Sequence, residues 1–154
     1  MMRRDSLLMV GILVFAGLQL PACKHSPASA KGHAESPAQV KRVEGTEFST
    51  VTLTEKAVQR LGLKTDQVRE EKVTRQNQTL GTRKVVPYSS LIYDSQGQTW
   101  IYTSPSDRTF VRKKVEVDQI QGDVAVLKDG PPSGTVVASV GVAELYGTEF
   151  KVGH

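Results

Sequence analysis

The strongest constraint on the fold is a regular alternation of short apolar runs and turn clusters across residues 86–146. The apolar runs are rich in Val, Ile, Tyr and Trp and recur about every ten residues, which is the pattern of a small all-β unit. The turn clusters between them contain Gly, Pro, Asp, Gln and Ser and occupy residues 94–97, 121–123 and 130–134. The sequence therefore predicts a mostly β domain, shaped as a small β-roll or barrel.

One short α-helix is predicted upstream of this unit. Residues 48–53 alternate apolar and hydroxyl side chains, as a half-buried strand does. Thr54 then offers a helix N-cap, Glu55 follows in the first turn, and Gly62 can end the helix in the left-handed conformation. The buried face of this helix is formed by Ala57, Val58 and Leu61.

Weaker signals complete the domain. Residues 63–68 and 73–80 are strand candidates, and the second is so polar that it predicts either an exposed edge or a long hairpin. Residues 124–127 and 135–140 predict two more strands, and residues 143–146 a last helical turn.

The strand at residues 110–117 carries a candidate docking patch. Side chains alternate across a strand, so Phe110, Arg112 and Lys114 share one face, while Val115 and Val117 point to the other. We expect the valine end to be buried and the opposite, basic face to be solvated. An apolar anchor with a basic surround is a suitable composition for binding a partner protein.

The first residues predict export and a lipid anchor. Arg3 and Arg4 precede a charge-free apolar run at residues 7–20, which is shorter than the roughly 20 residues of a membrane-spanning helix and fits a secretory signal. Residues 20–23, Leu-Pro-Ala-Cys, resemble the lipobox of bacterial lipoproteins. The resemblance implies that residues 1–22 are a removed signal helix and that Cys23 carries the lipid. The alternative is an ordinary signal peptide cut at a nearby alanine, which leaves Cys23 as a free thiol.

The segment after the anchor is expected to be a disordered tether. Residues 23–47 are low in apolar bulk and interrupted by Pro27 and Pro37, so they cannot bury enough surface to offset the entropy of ordering. The folded domain is then predicted to cover residues 48–154.

Few residues suit catalysis or metal binding. The three histidines lie at residues 25, 33 and 154, in the tether and at the last position, so no held general base is expected and the chain is predicted not to be an enzyme. The single cysteine is blocked by lipid in this interpretation. All three methionines precede residue 10, so we expect no Cu(I) site, no other metal and no cofactor. Trp100 and Tyr102 share a strand face and can either stack a ligand or pack in a core or interface.

Nucleic-acid binding is poorly supported. The formal net charge of +4 is mild, and the basic residues are dispersed with few aromatic residues beside them. The export signal argues against it as well.

The β unit resembles a known family. The positions that carry the resemblance are Val86, Pro87, Leu91, Ile92, Asp94, Gly97, Trp100, Ile101, Tyr102, Phe110, Arg112, Lys113, Val115, Val117, Gly122, Asp123, Val124, Val126, Gly130, Gly134, Val136, Val137 and Gly141. They resemble the C-terminal part of the membrane-fusion proteins, the periplasmic adaptor subunits of resistance–nodulation–division (RND) efflux pumps. Residues 53–65 and Val68 look like the segment that opens the same region in the heavy-metal branch. The resemblance implies that the two segments meet in a membrane-proximal β-roll.

The chain departs from that family in ways that limit its role. Residues 64–85 are too few to hold a barrel, a lipoyl-like domain and a helical hairpin. Asp118 stands where the family usually has glycine, and Pro131 and Pro132 replace a leucine-containing turn. The resemblance therefore implies a reduced or accessory adaptor, lipid-anchored in the bacterial envelope, facing the periplasm and binding an RND-type pump or its adaptor. The alternatives are a module that delivers a metal or small solute and an envelope structural lipoprotein.

Overall fold

A computed structural model describes residues 36–76 and 78–152, which contain ten strands, two α-helices and one 3₁₀ turn. The strands are β1 (Ala38–Arg42), β2 (Ser49–Leu53), β3 (Lys64–Gln67), β4 (Arg69–Arg75), β5 (Gln78–Pro87), β6 (Ile92–Tyr93), β7 (Thr99–Ser106), β8 (Thr109–Gln121), β9 (Val124–Asp129) and β10 (Val136–Val140). The helices are α1 (Glu55–Leu61) and α2 (Val142–Phe150), and the 3₁₀ turn is Tyr88–Ser90. The prediction of a mostly β domain with a short helix is confirmed.

Strand β8 organises the sheet. The strand order is β3-β10-β7-β8-β9-β5-β4, with β2 added to β8, β1 to β2 and β6 to β7. The first half of β8 pairs with β7 and β2, where Val111 lies opposite both Thr103 and Thr50. Its second half pairs with β9, where Ile120 lies opposite Ala125. One long strand therefore joins two differently covered halves of the domain.

The half beyond β8 curls back on itself. Arg75 at the end of β4 donates hydrogen bonds to Gln119 at 2.7 Å and Asp118 at 2.9 Å, both on β8. The Gln121 amide donates to the carbonyl of Thr74. Because β9 and β5 lie between β8 and β4 in the sheet, these contacts close four strands into a barrel-like curl. A small apolar cluster of Val73, Val85 and Val126 is buried at this end.

Two larger clusters fill the rest of the interior. The first joins β2, α1, β7, β8, β10 and α2; its buried members are Val51, Leu53, Ala57, Tyr102, Phe110, Ala138, Val142 and Leu145. The second joins β5, β7, β8, β9 and β10; its buried members are Val68, Val86, Ile101, Val115, Ala125, Leu127 and Val137. The elements are held together mainly by these apolar contacts, because burial of apolar surface is the largest favourable contribution to folding.

Local signals in the sequence produce the expected ends of α1. The backbone N–H of Ala57 donates to the Thr54 hydroxyl at 3.2 Å, so Thr54 is the predicted N-cap. Gly62 adopts φ 58°, ψ 29° and closes the helix with hydrogen bonds from its N–H to the carbonyls of Val58 and Gln59. A side chain with a Cβ adopts this left-handed conformation only at a cost, which explains the glycine.

The predicted domain start at Phe48 is wrong. Residues 38–42, assigned to the tether, form β1, which pairs antiparallel with β2 from Ala38 opposite Leu53 to Arg42 opposite Ser49. Ala38 and Val40 pack against the first cluster. Two alternating apolar residues in a polar stretch are too weak a pattern to reveal a strand, and only the partner strand makes it stable. The predicted signal helix, Cys23 and tether residues 24–35 lie outside the described residues.

Two other predictions are corrected in extent. Residues 73–80 are not one strand but the tip of the β4–β5 hairpin, which is the second of the two predicted alternatives. The last helical turn is a helix of nine residues, α2. Within the described part of the chain, no helix is long and apolar enough to cross a membrane.

Candidate functional site

The polar centre of the domain is a buried ion pair between Arg112 on β8 and Glu149 on α2. Arg112 Nε lies 3.2 Å from Glu149 Oε2, and their side chains are only 7% and 2% exposed. This N–H is not aligned for a hydrogen bond. The Tyr102 hydroxyl donates to the same Glu149 oxygen at 2.5 Å. Burial, reinforced by the Glu149 carboxylate, raises the pKa of Tyr102 far above its ordinary value, so the hydroxyl keeps its proton.

Aromatic rings enclose the guanidinium. Arg112 Cζ lies 4.2 Å from the ring centroid of Trp100, 4.9 Å from that of Phe150 and 5.7 Å from that of Phe48. Arginine suits this position because its planar, weakly hydrated cation can stack on rings while it pairs with a carboxylate. Trp100 and Tyr102 are therefore used for core packing, the second of the two roles considered for them.

The predicted docking patch is wrong at two of its three residues. Phe110 is 2% and Arg112 6% exposed, so neither can meet a partner in this fold. The reason is the length of α2, which covers this face of β8 with Leu145 and Glu149. Lys114 does lie at the surface, with its ammonium 5.9 Å from the Trp100 ring centroid.

Glu149 is the residue that the sequence analysis missed. A signal for it exists, because the buried residues of α2 are Val142, Leu145 and Glu149, spaced by three and four residues on one helix face. A carboxylate at such a position indicates a buried cationic partner. Recognising the helix over its full length is therefore the step that would have revealed the pair.

The exposed surface that remains near Lys114 is a hollow of about 410 Å³, here called the lysine hollow. It is lined by Thr103, Ser104, Pro105, Lys113, Lys114, Asp129, Gly130, Pro131, Pro132 and Thr135. Lys84 donates a hydrogen bond to the Gly130 carbonyl and so holds the loop that forms one wall. A Cβ at Gly130 would lie 2.9 Å from Leu127 Cδ1, so a larger residue there would have to displace the buried Leu127 side chain. Lys113 and Lys114 are adjacent on β8, so their side chains leave opposite faces of the strand, and Asp129 adds one acidic group to the lining. The lining therefore carries a small excess of positive charge, which suits an acidic partner surface.

The described residues contain no candidate metal centre. In residues 36–76 and 78–152, no group of three or more His, Cys, Asp or Glu side chains is placed to hold a metal ion. Cys23 and the three histidines lie outside this part of the chain. The expectations of no metal, no cofactor and no enzymatic activity stay predictions.

Comparison with known proteins leaves the family open. No family model matches the chain, and no curated protein matches it. The resemblance to membrane-fusion proteins is therefore an expectation that rests on the residues quoted above.

Proposed function

We propose that this chain is a periplasm-facing lipoprotein that acts as an accessory or reduced adaptor subunit of an RND-type efflux system. One observation supports the proposal most. Four positions of the resemblance, Val86, Ile101, Val115 and Val137, lie together in one buried cluster. The likeness therefore includes the interior of the domain as well as exposed turn positions such as Gly97 and Gly122.

The upstream segment gives the same kind of support. Leu53 and Ala57 pack in one cluster with Tyr102 and Phe110 of the β unit. The resemblance implies that these two segments of the chain combine in a single membrane-proximal domain, and their packing against each other supports the proposal. An adaptor needs no catalytic group; it needs a stable body and a surface for its partner.

We assign the pump contact to the lysine hollow. Lys113 and Lys114 are exposed on opposite faces of β8, and both line the hollow together with one acidic residue, Asp129. This excess of positive charge favours an acidic surface on the partner through complementary potential. The hollow is lined by ten residues, fewer than the roughly 20–30 on each side of a standard stable interface, so the contact is expected to be weak.

Site-specific crosslinking in membranes tests this assignment. A photoreactive amino acid is placed at Lys114 of the full-length chain, in cells that contain their own RND-type pump, and captured proteins are identified by mass spectrometry. We expect the inner-membrane pump subunit to be captured. A second probe at Ser104 should capture it less when Lys113 and Lys114 are both changed to Glu.

The matched control is a probe at Lys72, an exposed lysine on β4 away from the hollow. Equal capture at Lys72, or no capture of any pump or adaptor subunit from either hollow position, would overturn the proposal. Circular dichroism of the Lys113→Glu, Lys114→Glu variant checks that the fold is unchanged.

The lipid anchor has its own test. Replacing Cys23 with Ser should leave an unprocessed or soluble form, because a serine cannot form the lipid thioether. Mass spectrometry of the mature N-terminus decides the matter: a start at lipidated Cys23 supports the assignment, and an unmodified start at another residue contradicts it.

A further inference from the structure

We infer that a groove between α1, α2 and β1 binds the alkyl chain of an anionic amphiphile. The groove, here called the helix groove, has a volume of about 880 Å³. Its lining residues are Ser36, Pro37, Ala38, Val40, Leu53, Ala57, Arg60, Leu61, Ala143, Glu144, Gly147, Thr148, Lys151 and Val152. This site is separate from the lysine hollow and does not depend on a pump contact.

Three elements turn their apolar faces towards this groove. Ala38 and Val40 stand on one face of β1, since they are two residues apart. Ala57 and Leu61 are four residues apart on α1 and therefore lie on one helix face. Leu53 and Ala57 belong to the buried first cluster, so the floor of the groove is the core itself.

Small side chains keep the groove open. The wall of α2 presents Ala143 and Gly147, one turn apart, and the other walls present Ala38 and Ala57. Leucines at these positions would fill the space with core packing. At one end, Val152 folds back over Gly147, with its N–H bonded to the Gly147 carbonyl at 3.0 Å, and remains 59% exposed. The walls are thus apolar but leave room for a chain.

The charges at the rim select the head group. Arg60 lies in the last turn of α1 and Lys151 follows α2, and neither forms an ion pair with another described residue. Glu144 is the one acidic residue of the lining, so cations outnumber anions by two to one. The Thr148 hydroxyl is already used, since it donates to the Glu144 carbonyl. A carboxylate or sulfate at the rim can pair with Arg60 or Lys151 while its chain lies on the apolar floor.

Size favours a small amphiphile over a protein. Pockets for small molecules measure about 300–1,000 Å³ and are mainly apolar with a few polar groups, and the groove fits this description. Its lining has 14 residues, fewer than the roughly 20–30 on each side of a standard protein interface.

Binding of dodecanoate, below its micelle concentration, tests the inference by equilibrium dialysis. The protein is the full-length chain with Cys23→Ser, which removes any lipid of its own. Dodecyltrimethylammonium, with the same chain and a cationic head, is the matched probe. We expect dodecanoate to bind more tightly than dodecyltrimethylammonium.

Two variants locate the binding. Ala143→Phe adds bulk at an exposed groove position and should weaken dodecanoate binding at least about tenfold, whereas Thr82→Phe on the exposed face of β5 should leave it unchanged. Arg60→Gln with Lys151→Asn keeps the apolar floor and should reduce the preference for the anionic probe roughly fivefold. Asparagine suits residue 151 because its φ is 54°.

The outcomes separate the possibilities. Unchanged dodecanoate binding in a folded Ala143→Phe variant, or equal loss in Thr82→Phe, overturns the site. Equal affinity for the two probes in the parent chain overturns the anionic assignment. No binding of either probe, with a protein crosslinked from Ala143 instead, assigns the groove to a protein partner and also overturns the inference.

Discussion

The two halves of β8 hold ion pairs of similar length in opposite surroundings. Near its start, Arg112 and Glu149 are 3.2 Å apart with side chains 7% and 2% exposed. Near its end, Asp118 and Arg75 are 2.9 Å apart with side chains 31% and 46% exposed. Distance alone would rank the second pair as the stronger. The cost of removing one partner follows the opposite order. In the buried pair the remaining charge is uncompensated and out of water, which costs about 3–5 kcal/mol. In the exposed pair water solvates the remaining charge, and the pair contributes only ~0–1 kcal/mol.

The comparison separates structural charge from available charge. The buried pair joins α2 to the sheet and cannot meet a partner. One position further along the same face of β8, Lys114 is exposed and can. Basic residues that look equivalent in the sequence therefore have different roles, and burial by a distant helix decides which.

The largest effect is expected from breaking the buried pair. Glu149→Ala should lower the free energy of unfolding by about 3–5 kcal/mol, since Arg112 is then buried without its counter-charge and the Tyr102 hydroxyl loses its acceptor. Urea unfolding followed by the fluorescence of Trp100, the single tryptophan, measures this change.

The triple replacement Arg112→Met, Glu149→Leu and Tyr102→Phe is the control, because it leaves neither a buried charge nor a buried hydroxyl without its acceptor. It should be far closer to the wild type than the single variant. A Glu149→Ala loss below about 1 kcal/mol would place this pair in the same class as the exposed one.

A smaller effect is expected at the cap of α1, which borders the buried half. Thr54→Ala removes the acceptor of the Ala57 N–H and should cost about 1 kcal/mol. This hydrogen bond is neutral and half-buried, so its cost should fall between the costs of breaking the buried and the exposed ion pair. Thr52→Ala, an exposed threonine on β2, is the matched control and should cost less; equal losses would contradict the capping role.

Breaking the exposed pair should have little effect. Arg75→Ala removes contacts to Asp118 and Gln119 at the barrel-like end, yet both partners remain solvated. We expect a loss of at most about 1 kcal/mol, decreasing as salt is added. A loss as large as that of Glu149→Ala would show that closure of the curl depends on this residue, and the contrast between the halves would fail.

The smallest effect is expected from the charge of Asp94, whose contribution to stability depends on pH. The Asp94 carboxylate accepts hydrogen bonds from the Trp100 indole and from the backbone of Gln96 and Gln98. Desolvation opposes ionisation, but these hydrogen bonds together lower the pKa of Asp94 below its ordinary 3.8. A lowered pKa means that the carboxylate stabilises the fold at neutral pH and that this contribution is lost as pH falls through the folded-state pKa, below 3.8.

Asp94→Asn should therefore be less stable than the wild type at neutral pH, and the difference should shrink in strong acid. Unfolding midpoints over a pH series measure it. A difference that stays constant into strong acid would contradict the role of the charge.

Local patterns predicted the parts of the fold that depend on neighbours in the chain. Thr54 and Gly62 mark the ends of α1 because a cap and a left-handed residue act within one turn. Asp94 and Gly97 form the predicted turn for the same reason, with the Gly97 N–H bonded to the Asp94 carbonyl at 3.0 Å. The period-2 alternation along β8 predicted its two faces, although not which face would be covered.

The sequence by itself determined a mostly β domain, its turns and its first helix, because those signals are short-range. Only the tertiary structure decided that Arg112 is buried, since its counter-charge Glu149 lies on another element and only packing brings them together. The same holds for β1, which exists because β2 offers it a pairing edge. Whether a charge or a polar strand faces water depends on what folds over it, and that information is distributed over the whole chain.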